Sequence, residues 1–128
     1  MPRYAHPDVL DNGPAHIKAN ATKMLLISGY AFGDSYATVV AAKLAEATVA
    51  NADFAITNDV NDRRLTGPAG KSGNASASSG ASPDLHIAFT NGVDKVLWVT
   101  DETSNQVITS GNPVDFPALT YTSRQPTA

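Results

Sequence analysis

From residue 52 onward the chain is made of short runs with alternating apolar and polar residues, separated by turn-forming residues. The clearest run is 84–90, DLHIAFT, which places three apolar side chains on one face, Leu85, Ile87 and Phe89. Asn91-Gly92 follows directly and precedes a second run, VDKVLWVT. An Asn-Gly pair between two such runs is the strongest local signal for a β-hairpin. The sequence therefore predicts a mainly β fold, an antiparallel β-sandwich or small barrel of about six to eight strands.

The part of the chain before residue 52 predicts one strand and one helix. Residues 22–29, TKMLLISG, form an apolar run that ends in glycine, as buried strands do. Apolar residues then recur at the helical period, at positions 36, 39, 40, 44 and 47. Asp34 or Ser35 can cap this helix. We therefore expect one short α-helix near the N-terminus, over about residues 35–47.

Residues 1–21 predict an extended N-terminal arm rather than a regular element. Prolines and a glycine are spaced so that they interrupt any helix longer than two turns, at Pro2, Pro7, Gly13 and Pro14. The arm also carries spaced apolar residues that could anchor it, and these are candidate partner-binding residues: Tyr4, Val9, Leu10 and Ile17. The arm is expected to be tied down either to its own domain or to a neighbouring molecule.

Size and charge narrow the class of protein. A chain of 128 residues is expected to form one domain behind the arm, over residues 22–128. The absence of cysteine excludes disulfides and thiolate metal sites, and a net charge of −3 argues against a nucleic-acid partner. No run approaches the ~20 apolar residues of a membrane span, and the first residues lack the apolar core of a signal peptide. A soluble protein without a membrane partner is expected.

The segment LTGPAGKSGNAS, residues 65–76, contains a Gly-Lys-Ser that resembles the end of a phosphate-binding loop. Such a loop needs a glycine five positions before Gly70, and that position is Leu65. The residues that follow are also poor helix formers, whereas the motif requires a helix there. We therefore predict no nucleotide site and a flexible Gly/Ser-rich surface loop over about residues 67–83.

No other motif predicts a catalytic, cofactor-binding or metal-binding residue. The three histidines, His6, His16 and His86, have no metal-ligand spacing, and His86 is expected to be a cross-strand partner on the polar face of its sheet. Acids and amides at 58–62 fit a hydrogen-bonded turn better than a calcium loop, because the required glycine and distal glutamate are missing. No Gly-x-Ser-x-Gly pentapeptide occurs. The chain is therefore expected not to be an enzyme.

Trp98 is the only tryptophan, and it lies within the run VLWV on the face opposite Leu97 and Val99. Two roles are open to it. It can pack into the core, or its face of the sheet can form an interface with another subunit. It is therefore a further candidate partner-binding residue.

Several short motifs resemble a family of small virion structural proteins of tailed bacteriophages. They are an arm with His-Pro-Asp-x-x-Leu, an Asn-Ala-Thr before the first strand, a tyrosine-bearing helix, Asp-Phe at a strand start, a His-x-Ala strand, and a closing Gly-Asn-x-Val-x-x-Pro edge. The matching positions span most of the chain: His6, Pro7, Asp8, Leu10, Asn20, Ala21, Thr22, Tyr36, Asp53, Phe54, His86, Ala88, Gly111, Asn112, Val114 and Pro117. The chain departs from this pattern between Thr66 and Pro83, where a longer Gly/Ser/Ala segment replaces a compact strand-turn.

The resemblance implies a non-enzymatic protein of the virion, made in the host cytoplasm. On this basis the expected role is decoration and stabilisation of the capsid shell, with docking through the arm and edge strands. The expected partners are the major capsid protein and copies of the chain itself, as a trimer, because capsids offer threefold sites. The alternative is a tail, collar or fibre component that binds a receptor or glycan through Trp98, Tyr121 and the serine-rich loop.

Overall fold

The structure, a computed structural model, describes residues 4–81, 83–102 and 106–125. The remaining positions of the predicted arm, loop and domain lie outside the described residues. The elements are, in chain order, α1 (Pro7–Asn20), β1 (Lys23–Ile27), α2 (Tyr36–Ala41), β2 (Lys43–Thr48), β3 (Ala55–Asp59), β4 (Asp62–Thr66), β5 (Ser72–Asn74), β6 (His86–Thr90), β7 (Val96–Asp101), β8 (Pro113–Asp115) and β9 (Thr120–Ser123). A short 3₁₀ turn, Asn51–Asp53, precedes β3.

The predicted mainly β fold is confirmed, and every sheet is antiparallel. The largest sheet has four strands in the order β2-β1-β6-β7, the next has β3-β4-β9, and β5 pairs with β8. The described part of the chain thus holds nine strands, and the shortest two, β5 and β8, have only three residues each. The described strands form a small β-sandwich and do not close into a barrel.

An aromatic column joins the four-stranded sheet to the three-stranded sheet. The ring of Phe89 in β6 stacks on Trp98 in β7, with 4.9 Å between centroids. Trp98 in turn meets Tyr121 of β9 edge-to-face at 5.6 Å, and Phe54 meets Phe89 at 5.8 Å. Phe89 is completely buried, and Leu65 of β4 is buried in the same core. The core therefore lies between the sheets, as a sandwich requires.

The N-terminal segment corrects the prediction of an extended arm, because residues 7–20 form a 14-residue helix. Pro7 occupies its first position, where a missing N–H costs nothing, and Nδ1 of His6 caps the helix by accepting the N–H of Asp8 at 3.0 Å. Pro14 lies inside the helix and is fully buried, so packing outweighs the backbone hydrogen bond it removes. The helix contacts β3, β4 and β9 of its own domain.

The second helix is shorter than predicted, because the chain turns into a strand after Ala41. Ser35 caps α2, as expected, by accepting the N–H of Thr38 at 3.2 Å. Residues 43–48 then pair with β1, and their apolar residues are buried in the sandwich core, among them Leu44 and Ala45. An alanine-rich segment fits either period, and strand pairing decides the outcome here.

The Gly/Ser-rich segment corrects the prediction of a flexible surface loop. It contains β5, and both Pro68 and Ala75 are buried. The N–H of Ser76 donates to the carbonyl of Leu44 at 2.7 Å, which attaches the segment to β2. The small residues of this segment allow its backbone to pack closely against β2, and the segment is not a linker.

The hairpin predicted at Asn91-Gly92 is present, but its loop spans residues 91–95. The side chain of Asn91 closes the loop, because its Oδ1 accepts the N–H groups of Val93, Asp94 and Lys95 at 2.9–3.0 Å. Its Nδ2 donates to Asp94 Oδ1 at 2.8 Å.

Among the described residues, no helix has the length and apolarity needed to span a membrane.

Candidate partner-binding surface

A cleft of about 490 Å³ lies between the N-terminal segment and the turn that joins β3 to β4. Two exposed apolar residues line it from opposite segments, Tyr4, which is 71% exposed, and Val60, which is 92% exposed. Gln125 and Arg63 line the same cleft. We call this region the terminal cleft.

The backbone at Val60 is strained. Val60 has φ +60°, in the left-handed region, and it is the only described residue other than glycine with a positive φ. It sits in a two-residue turn, since Asp59 and Asp62 are the last cross-strand pair of the hairpin. Glycine, asparagine or aspartate normally fills such positions, and a β-branched residue is a rare exception. The fold therefore holds an apolar side chain in solvent at a conformational cost.

Ionic and hydrogen-bonded contacts fix the walls of the terminal cleft. Arg63 of β4 binds Asp11 of α1 through two hydrogen bonds, Nε to Oδ1 at 2.7 Å and Nη2 to Oδ2 at 3.3 Å. Both side chains are only about a quarter exposed, at 21% and 26%. Arg63 Nη1 also donates to Oδ1 of Asn58, at the other side of the turn. One guanidinium thus connects the helix to the β3–β4 hairpin.

Gln125 connects the two ends of the described chain through hydrogen bonds. Its side-chain amide donates to the carbonyl of Ala5 and accepts the N–H of Ala5, both at 2.8 Å. Its own N–H donates to Oδ1 of Asp62 at 2.8 Å. The segment that carries Tyr4 is therefore held against the hairpin that carries Val60.

The candidate residues from the sequence are divided between the surface and the core. Tyr4 and Val9 are exposed, with Val9 at 64%. Leu10 and Ile17 are buried in the protein's own domain, each 6% exposed, and contribute no surface to a partner. Trp98 is half-buried in the aromatic column described above, which is the core-packing role.

Lys71 of the Gly-Lys-Ser sequence makes an ion pair within the protein. Its Nζ lies 3.2 Å from Oδ2 of Asp53, which also accepts the N–H of Ala50 at 2.8 Å. The hydrogen bond from Ala50, followed by the contact with Lys71, lowers the pKa of Asp53 below its ordinary value, although burial opposes this. A comparable pair in the four-stranded sheet lowers the pKa of Glu46, chiefly through its hydrogen bond from Lys43.

His86 lies in a cluster of potential metal ligands that the sequence does not reveal. It is the cross-strand partner of Asp101, as predicted, and Asp84 approaches the same point. The predicted polar face is wrong, because Ile27 and Ala88 on the same face belong to a buried apolar cluster. One ligand atom from each of the three residues lies within 4.8 Å of the others. Among the described residues, this is the one group of three His or acidic side chains with such spacing.

The exposed and strained Val60 was also not predicted, because the sequence around it indicates a polar turn. The available signal was a lone apolar residue in the turn sequence NDVND, where a hydrogen-bonding residue or glycine is usual.

Comparison of the chain with protein-family models, with curated proteins and with solved structures finds no match.

Proposed function

We propose that this chain is a non-enzymatic structural protein of a bacteriophage virion that decorates and stabilises the capsid shell. It attaches to the major capsid protein through the terminal cleft. The virion role follows from the resemblance of its short motifs. The placement of the contact rests on one observation, the exposed and strained Val60 opposite the exposed Tyr4.

Val60 carries a conformational cost in the isolated protein and gains no burial in return. A left-handed conformation costs a residue with a Cβ about 1–2 kcal/mol, and an exposed isopropyl group gains nothing by burial. Strain of this kind indicates a functional site when the surrounding structure maintains it. Here the hairpin and Arg63 maintain it, and a partner that covers Val60 and Tyr4 would recover the burial energy.

Attachment through a cleft of this size would be weak for one copy. Capsid shells display the same site many times, so copies joined to one another gain affinity without new contacts. In this proposal three copies form a trimer on a threefold site of the shell, so that the trimer and the site have the same symmetry. We therefore propose contacts between copies as well, for which the exposed Val9 provides apolar surface.

The test is cosedimentation of the purified protein with undecorated capsid shells. Tyr4→Ala and Val60→Asn should each weaken binding at least about tenfold, since each removes apolar area from the contact. Asparagine tolerates the left-handed backbone, so Val60→Asn keeps the turn.

Matched controls remove the same groups elsewhere on the surface. Phe32→Ala deletes an exposed aromatic ring and Val93→Asn an exposed valine, both outside the terminal cleft. They should bind shells as the wild type does. Full binding by Tyr4→Ala and Val60→Asn, with loss in either control, would move the contact away from the cleft.

The alternative role in a tail, collar or fibre places receptor or glycan binding at Trp98, Tyr121 and the serine-rich loop. The ring of Trp98 contacts Phe89 and Tyr121 within the protein. Ser78 and Ser79 accept the N–H groups of Ser110 and Ile108. The alternative thus gains no observation of its own from the described residues. Binding to host cells without binding to shells would favour it.

A further inference from the structure

We propose that Asp84, His86 and Asp101 form a binding site for a divalent transition-metal ion. The site lies on the four-stranded sheet, where β6 begins and β7 ends. It is separate from the terminal cleft, none of whose lining residues belongs to it.

The fold brings the three residues together from two strands and a connecting segment. His86 and Asp101 are directly opposite each other in the antiparallel pair, so their side chains leave the same face of the sheet. Asp84 lies two positions before His86, just ahead of the strand. Asp101 is distant in sequence from Asp84 and His86, but all three residues contribute to one point.

The imidazole of His86 is held in place by apolar neighbours. Its partner on the other side is the fully buried Ile27 of β1, and the ring of Tyr30 lies 6.3 Å away between centroids. The side chain of His86 is only 18% exposed, whereas that of Asp101 is 59% exposed. The cluster therefore has a fixed nitrogen ligand and accessible carboxylates.

One ring nitrogen is committed to the backbone, and this leaves the other facing the carboxylate. Nδ1 of His86 lies 3.2 Å from the carbonyl oxygen of Asp84. A carbonyl can only accept, so this hydrogen bond needs the proton on Nδ1. In neutral imidazole, Nε2 then carries a lone pair directed toward Asp101. A hydrogen bond from the second ring nitrogen to a carbonyl is the usual support of a metal-bound histidine.

The distance between the two facing ligand atoms fits a shared ion better than a direct hydrogen bond. Nε2 of His86 lies 3.8 Å from Oδ1 of Asp101, which is beyond hydrogen-bond range. Two ligands bound at about 2.0–2.2 Å to one ion lie roughly 3.4–3.8 Å apart at tetrahedral or somewhat wider angles. A carboxylate oxygen of the exposed Asp84 lies within 4.8 Å of one ligand atom from each of the other two residues.

The donor set indicates which ions bind. One imidazole nitrogen with two carboxylate oxygens suits Zn²⁺, Co²⁺ or Mn²⁺, whereas Mg²⁺ and Ca²⁺ prefer oxygen ligands alone. Three protein ligands leave at least one position for water. A bound ion would link the segment before β6 to the end of β7 and so stabilise the hairpin of residues 86–101.

The experiment is titration of the untagged full chain with ZnCl₂ by calorimetry, together with thermal denaturation. We expect one Zn²⁺ per chain and a rise in Tm of roughly 5–15 °C when free Zn²⁺ is about a hundredfold above Kd. Co²⁺ should give visible absorption bands that Zn²⁺ displaces. Mg²⁺ and Ca²⁺ should produce neither heat nor a Tm shift.

The variants are His86→Asn and Asp101→Asn, which should each weaken Zn²⁺ binding at least about tenfold. His16→Asn and Asp115→Asn make the same changes at exposed positions outside the cluster and should bind as the wild type does. Because Asp84 and Asp101 are exposed, Asp84→Asn and Asp101→Asn should fold even if His86→Asn does not.

Two results would overturn the proposal. The first is the absence of Zn²⁺-dependent heat and Tm shift in the wild type, which would leave His86 and Asp101 as an ion pair alone. The second is equal Zn²⁺ affinity in Asp84→Asn, Asp101→Asn and the wild type, which would place any bound ion on other residues.

Discussion

The backbone of Gly73 lies against the carbonyl oxygen of Glu46, so closely that a Cβ on residue 73 would stand 2.2 Å from that oxygen. Glu46 belongs to β2 and Gly73 to β5, and the neighbouring bond from Ser76 to Leu44 holds the two segments in this position. Both atoms of the clash are tied to backbone, so rotation of a side chain cannot relieve it.

Gly73→Ala should therefore destabilise the protein by about 1–3 kcal/mol, because β5 must move away from β2. Urea denaturation followed by tryptophan fluorescence measures this loss. An unchanged free energy of unfolding would show that β5 does not pack against β2 as described.

Gly13→Ala should have the opposite effect. Gly13 lies inside α1, and no atom outside its two adjacent residues and the nearby helix backbone lies within 4 Å of the position of a new Cβ. Alanine in a helix interior is favoured over glycine by about 0.5–1 kcal/mol. The ring of Pro14 crowds a Cβ on the helical residue before it, which reduces this gain. The same denaturation assay should therefore show a gain below about 1 kcal/mol, whereas a loss as large as that expected for Gly73→Ala would contradict a helix over residues 7–20.

The Asp11–Arg63 pair should contribute a measurable coupling energy. A double-mutant cycle with Asp11→Asn and Arg63→Gln is expected to give about 1–2 kcal/mol, because the pair is bidentate and largely shielded. Arg64 and Asp59 provide the control from the same hairpin, with one 2.9 Å contact and greater exposure. The coupling energy of Arg64 and Asp59 should stay below about 1 kcal/mol. Equal coupling energies for the two pairs would show that Arg63 does not connect α1 to the hairpin more strongly than a surface ion pair would.

Asp53 should make part of the stability depend on acidity. Its folded-state pKa is lowered, first by the hydrogen bond from the N–H of Ala50 and then by Lys71. Its contribution is therefore complete above the ordinary aspartate pKa of about 3.9 and is lost as pH falls through the lower folded-state value. The stability difference between wild type and Asp53→Asn should be constant at neutral pH and shrink below about pH 4.

Lys71→Met tests the assignment of causes for Asp53. It removes the cation but leaves the hydrogen bond from Ala50, so the acid-dependent difference should become smaller without vanishing. A difference unaffected by Lys71→Met would show that the 3.2 Å contact contributes nothing.

The sequence predicted the β-rich fold because alternation of apolar residues is a local property. It missed α1, since the burial of Leu10, Pro14 and Ile17 against other parts of the chain outweighs an unfavourable helix composition. It also extended α2 over β2, because strand pairing with β1 is not visible in a segment rich in alanine.

The proximity of Asp84, His86 and Asp101 was not predicted from the sequence because it depends on the register of β6 and β7. A two-residue turn at Asn91-Gly92 would pair Thr90 with Val93 and so set His86 opposite Leu97. The observed loop of residues 91–95 pairs Thr90 with Val96 instead, and a register shift between Phe89 and Thr90 then sets His86 opposite Asp101. This longer loop is closed by the hydrogen bonds of the Asn91 side chain, by the bond from the Asn91 N–H to the carbonyl of Lys95, and by the bond from the Gly92 N–H to Thr90 Oγ1. These bonds are features of the folded structure and are not visible as a pattern of apolar residues.

The clamp between Ala5 and Gln125 has a consequence for the order of events during synthesis. It joins residues 120 positions apart, and α1 packs on β9, the last strand of the described chain. The N-terminal helix therefore leaves the ribosome before its docking site exists. The strands β3 and β4 supply one part of that site, and β9 completes it only after the end of the described chain has emerged. Contacts of such long range place the chain among slow folders, on a timescale of roughly milliseconds to seconds. During that interval the apolar surface that α1 will later bury is partly exposed, and such surface is prone to aggregation.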